Sequence, residues 1–169
     1  MKTKVIATLL FTVLFVSCGS GNGDAYKHLQ DNIGRFNTTE SYLDDIYDEF
    51  ENAEENPNGL KTSAKNLIDY VDTYLNNNSK DLPSSIDSIS DIDNAMLYYM
   101  SIAKQIALLS SDYADKAGTL TDEELDVYDE KLGLLEDGLF DTFDILSELQ
   151  EKYAKKHNIK LEDLPNEDD

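Results

Sequence analysis

The side chains able to do chemistry in this sequence are few and widely scattered. His28 and His157 lie near opposite ends of a 169-residue chain, without an i, i+4 partner or a cysteine nearby. Each is expected to be a surface histidine, and a metal site shared between them is not expected. Asp87, Asp91 and Asp93 are spaced suggestively for calcium. A helix-loop-helix calcium loop beginning at Asp87 would, however, need glycine where Ile92 stands and glutamate where Tyr98 stands. Ser84, Ser88 and Ser90 sit among these aspartates, so helix-start chemistry explains the cluster better. Carboxylate pairs such as Glu123 with Glu124 carry no information in a chain with 35 acidic residues. The chain has no Gly-x-Ser-x-Gly elbow, no phosphate-binding glycine loop and no His-Glu-x-x-His helix. No catalytic residue, cofactor ligand or metal ligand is therefore assigned, and an enzyme is not expected. Cys18 is the only cysteine, which excludes a disulfide framework and any cysteine-cluster metal site.

The ten tyrosines are the other notable set. Tyr47, Tyr74, Tyr99, Tyr113, Tyr128 and Tyr153 fall on apolar stripes, and Tyr98 sits beside one. Rings at the core edge with hydroxyls reaching polar rims are the expected outcome. The alternative is a partner surface, since tyrosine is enriched at interfaces.

Charge narrows the partners. Against the 35 acidic residues stand 14 basic ones, giving a net charge of -21, and Arg35 is the only arginine. Phosphate backbones require clustered Lys and Arg, so nucleic acid is excluded as a partner. With 40% hydrophobic and 9% aromatic residues the chain carries enough apolar material for a packed core.

The N-terminus reads as an address. Lys2 and Lys4 precede an uncharged run from Val5 to Val16, too short for a comfortable span, which takes about twenty helical residues. Small Ser17 then precedes Cys18, and Gly19-Ser20-Gly21-Asn22-Gly23 follows. Phe15-Val16-Ser17-Cys18 resembles the lipobox of bacterial lipoprotein precursors, with Phe15 where leucine is usual. The resemblance covers only this segment. It implies cleavage before Cys18 and acylation of Cys18, which becomes the lipid attachment site. It also implies a place in the bacterial cell envelope, with Gly19 rather than Asp favouring the outer membrane of a Gram-negative cell. Further along, Asp87-Ser88-Ile89 resembles a short O-glycosylation signal used by one group of Gram-negative anaerobes.

The remaining chain must fold around spacing alone, and that spacing is helical four times over. The first stripe, within 25–55, holds Leu29, Ile33, Phe36, Leu43, Tyr47 and Phe50, with Glu40 breaking the rhythm. Asn37-Thr38-Thr39-Glu40 could restart this helix as a capping box. Asn56-Pro57-Asn58-Gly59 ends it. A second helix spans 60–77. A third carries Ile92, Met96, Tyr99, Ile102, Ala103, Ile106 and Leu109, and is the most apolar, with Lys104 its only charge between Ala95 and Leu109. Gly118 closes it. Thr121-Asp122-Glu123-Glu124 opens the fourth, whose stripe from Leu125 to Tyr153 keeps one phase across Gly133 and Gly138.

The expected fold class is therefore all-α, an antiparallel four-helix bundle of the up-down type. Residues 1–17 are read as a lipoprotein signal peptide and 18–24 as a flexible lipid-anchored tether. The bundle domain occupies 25–164, with Ile159, Leu161 and Leu164 docking its end, and 165–169 form an acidic disordered tail. Two function classes follow. One is a membrane-anchored envelope lipoprotein that binds other proteins in a structural or accessory role. The other is an immunity-type lipoprotein that neutralises a basic toxin. The membrane enters through the lipid anchor, and a basic protein surface is the charge-complementary partner.

Overall fold

The computed structural model describes residues 23–50, 52–77 and 82–160, and these form a four-helix bundle. Helix α1 runs Gly23–Phe50, α2 Pro57–Asn77, α3 Ile92–Lys116 and α4 Asp122–Lys156, with a short 3-10 turn at Ile86–Ser88. Asn32 in α1 meets Ile92 at the start of α3 and Gln150 near the end of α4. Lys61 of α2 pairs with Asp115 near the end of α3, so the chain goes up, down, up and down.

Local chemistry sets the boundaries. Asn56 accepts a hydrogen bond from the Gly59 amide at 3.2 Å, capping α2. Pro57, expected only as a stop for α1, thus also opens α2, because proline has no amide to lose at the first helical position. Asp91 caps α3, accepting from the Asn94 amide at 2.9 Å. The aspartate cluster is helix-start chemistry, as its serines suggested. Gly118 takes φ +78 to close α3. Thr121 and Glu124 form the reciprocal capping box of α4. At the other end of α4, Asn158 adopts φ 54 and the Ile159 amide donates to the Ala154 carbonyl at 2.9 Å. This left-handed stop folds Ile159 back onto Leu29, Ile92 and Ala154.

Two expectations about continuity resolve differently. Helix α1 does not restart at Asn37: the Thr38 and Thr39 hydroxyls donate back to the carbonyls of Gly34 and Arg35, each at 2.8 Å, and leave the ladder intact. Helix α4 runs through Gly133 and Gly138 without a break.

Helix α3 is the centre of the bundle. It packs against α1, α2 and α4, and Met96, Tyr99, Met100, Ala103 and Ile106 on its inner side are buried. Leu43 and Ile46 of α1, Leu60, Leu67 and Val71 of α2, and Leu139 and Leu146 of α4 close around them. Lys104 lies at the edge of this core, paired with Asp72 of α2. Helices α1 and α4 meet mainly through their long side chains.

Candidate functional site

Antiparallel packing gathers residues far apart in sequence at one end of the bundle. His28 of α1 lies 3.2 Å from Asp93 of α3, and its ring centroid is 5.5 Å from that of Tyr153 on α4. The His157 ring lies tilted against the same tyrosine, with centroids 4.4 Å apart. The two histidines, placed by sequence at opposite ends of the chain, therefore share one aromatic neighbour. Among the described residues no group of three His, Cys, Asp or Glu side chains is placed to hold a metal ion. The cluster ties α1, α3 and α4 together.

One turn further in, Asn32 is fully buried. Its amide nitrogen donates to the Ile92 carbonyl at 3.1 Å, and its oxygen accepts from the Gln150 amide at 2.9 Å. All of the side-chain polarity of Asn32 faces two other helices, which offsets the cost of burying it.

The middle of the bundle holds a perturbed carboxyl–phenol pair. Glu40, the residue that broke the apolar rhythm of α1, accepts a hydrogen bond from the Tyr99 hydroxyl of α3. Burial pushes the Glu40 carboxyl above its ordinary value; the Tyr99 bond opposes this and the charge of Asp44 adds to it. Burial first, then the charge of Glu40, raises the Tyr99 phenol far above the usual range, so it stays a donor. The Tyr47 hydroxyl is buried beside Glu136 of α4 without a hydrogen bond of normal geometry. Carboxylates from α1 and α4 thus converge on two phenols at the waist of the bundle.

This arrangement sets a pH dependence of stability. A carboxyl whose folded value lies above its unfolded value favours the folded state when protonated. Its contribution is complete below the unfolded value, about 4.3, and is lost as pH rises through the raised folded value. Asp44 is shifted upward too, by burial and by its neighbours Asp48 and Asp45. Groups shifted downward, such as Asp112 and Glu124, sit at the exposed surface, where solvent screens them, and titrate at lower pH. The urea midpoint is therefore expected to rise as pH falls from 7.5 to 5, and Glu40→Gln is expected to raise the midpoint at 7.5 and flatten the profile. A midpoint that falls over this interval, or a Gln variant with an unchanged slope, would contradict it.

At the opposite end, α3 and α4 are joined by a charged tyrosine contact. Asp112 accepts from Lys116 at 2.8 Å and from the Tyr128 hydroxyl, and Lys116 lies 3.0 Å from that hydroxyl. Phe50 stacks on Tyr113 at 5.0 Å, and Tyr113 meets Tyr128 edge-on at 5.5 Å.

The tyrosines consequently serve the bundle itself. Tyr99 is buried, and the other nine are half-buried, so none forms a freely exposed surface. Along the α1–α2 face, Tyr42 packs on Tyr70, and Arg35 lies 4.8 Å over the ring of Tyr74. A wide, open hollow there is lined by Lys27, Gln30, Arg35, Thr38 and Tyr70. Ser88 is exposed in the 3-10 turn, its hydroxyl donating to the Ser85 carbonyl at 2.6 Å. Cys18, the signal segment 1–17, Leu161, Leu164 and the tail 165–169 lie outside the described residues. None of the described helices is long and apolar enough to cross a membrane.

Sequence reasoning missed Asn32, Gln150 and the Glu40–Tyr99 pair. The available signal was a polar residue on an apolar stripe: Asn32 sits three residues after Leu29, and Glu40 three before Leu43. No protein-family model, curated protein or solved structure matches the chain.

Proposed function

We propose that this chain is a lipid-anchored lipoprotein of the bacterial envelope that acts by binding other proteins, in a structural or accessory role. The observation that carries the reading is the Phe15-Val16-Ser17-Cys18 segment, with its preceding apolar run and the Gly-rich stretch after it. Helix α1 starts at Gly23, so a short tether would hold the bundle close to the lipid surface. Gly19 after the cysteine points to the outer membrane of a Gram-negative cell. Most of the described carboxylates are exposed, and a chain of net charge -21 attracts a basic protein over distance.

Such attraction weakens as salt shortens the screening length, to about 8 Å near physiological ionic strength. The test is capture from an envelope extract with the acyl-free domain, repeated at low and high salt, with bound proteins identified by mass. A specific protein with a basic surface is expected at low salt and in reduced amount at high salt. Recovery of no specific protein at either salt, together with a reproducible small-molecule ligand or turnover, would overturn the reading.

A further inference from the structure

Helix α4 carries a solvent-facing pattern that its contacts with α1 and α3 leave unused. Glu123, Glu130, Asp137 and Asp144 recur every seven residues, and all four are exposed. Seven residues advance a helix by about 10.5 Å and turn it by only about 20° from its starting direction, so such a repeat stays on one face. Val127 and Leu134, 46% and 67% exposed, follow Glu123 and Glu130 by four residues each. A carboxylate and an aliphatic side chain are thereby paired, one turn apart, twice along the same face.

The interior does not account for this pairing. Tyr128 of α4 is bonded to Asp112 of α3, and Phe143 and Gln150 reach Phe36 and Asn32 of α1. Val127 and Leu134 point elsewhere. Single exposed aliphatic residues are ordinary; Val127 and Leu134 stand out because they share one face with the carboxylate ladder. Gly133, one turn before Asp137 on the flank of this face, adds a second observation. A Cβ there would meet nothing within 4 Å, so no contact inside the described residues requires glycine. Glycine is a poor helix former, whereas it does permit another backbone to approach closely.

We propose that this face is the docking surface for a basic amphipathic helix of a partner protein. That helix carries Lys or Arg and an aliphatic residue, each repeated every seven positions, and lies along α4 between Glu123 and Asp144. Charge complementarity selects this occupant. Between Asp122 and Asp144 there are ten acidic residues and one basic residue, Lys131, so a second copy of the same face is repelled. The chain's own C-terminal segment 161–169 is acidic as well. Each exposed ion pair contributes little alone; the aliphatic pair supplies burial and the repeated charges supply orientation. The proposal rests on the protein-binding reading above and names its surface.

The experiment uses the full chain and a synthetic helix of about twenty residues with Arg and Leu each at seven-residue spacing. A peptide of identical composition and scrambled spacing is the comparison, and binding is read by fluorescence anisotropy. The spaced peptide is expected to bind about tenfold more tightly than the scrambled one. Val127→Asn with Leu134→Asn should weaken it by a similar factor without changing the circular dichroism spectrum or urea midpoint. Equal binding of the two peptides, or binding unaffected by the double variant, would overturn this surface while leaving the extract-capture result standing. Self-association of the chain that depends on Leu134 would overturn it in favour of a second copy.

Discussion

Ile106→Ala is expected to destabilise the bundle by about 2–5 kcal/mol, measured by urea unfolding. Ile106 has no exposed surface and sits on α3, where the other three helices meet. Removing its outer carbons forfeits the transfer free energy of those atoms and leaves a void that the surrounding side chains fill only in part. A domain of this size has a total stability of about 5–15 kcal/mol, so the loss is a large fraction of the whole. Leu108, two residues on, is 49% exposed and provides the comparison on the same helix. Leu108→Ala should change stability by no more than about 0.5 kcal/mol. Equal losses at the two positions would show that the inner side of α3 has been misassigned.

The second large effect concerns attachment. If Cys18 carries the lipid, Cys18→Ala removes every acyl chain at once and the protein is expected to leave the membrane fraction or to accumulate uncleaved. One acyl chain gives only marginal, reversible attachment, whereas two or three hold a soluble domain stably. The change should therefore be nearly complete rather than graded. Intact mass of the membrane-bound form decides it, through a chain beginning at Cys18 with added acyl mass. A mature chain beginning elsewhere and lacking that mass would remove the anchor from the proposed function.

The helices were legible because their signals are local. Capping at Thr121–Glu124, the stop at Gly118 and the apolar stripe of α3 each depend on residues within a turn or two of one another. The interior polar contacts were not legible, because Asn32 and Gln150 lie 118 residues apart and meet only when antiparallel packing is in place. Sequence spacing showed Glu40 as an interruption, and the structure shows why the interruption is tolerated: Tyr99 supplies a donor from another helix. The same limit applied to His28 and His157, whose separation in sequence concealed their common neighbour Tyr153. Asn37–Glu40 misled for a different reason. Threonine hydroxyls bond to carbonyls within a helix as readily as they cap one, and the pattern alone does not distinguish the two.

The buried amide of Asn32 also limits how these helices can slide past one another. Stripes made only of leucine, isoleucine and alanine pack acceptably in several registers, since apolar surface is indifferent to which aliphatic neighbour it meets. A one-turn slip of α1 against α3 and α4 shifts Asn32 by about 5.4 Å. That distance parts it from both the Ile92 carbonyl and the Gln150 amide, leaving an unpaired amide in the core. An unsatisfied buried polar group costs about 1–3 kcal/mol, so each slipped arrangement is penalised while the native one is not. Asn32 thereby acts as an index pin, fixing one alignment among several that hydrophobic packing alone would accept.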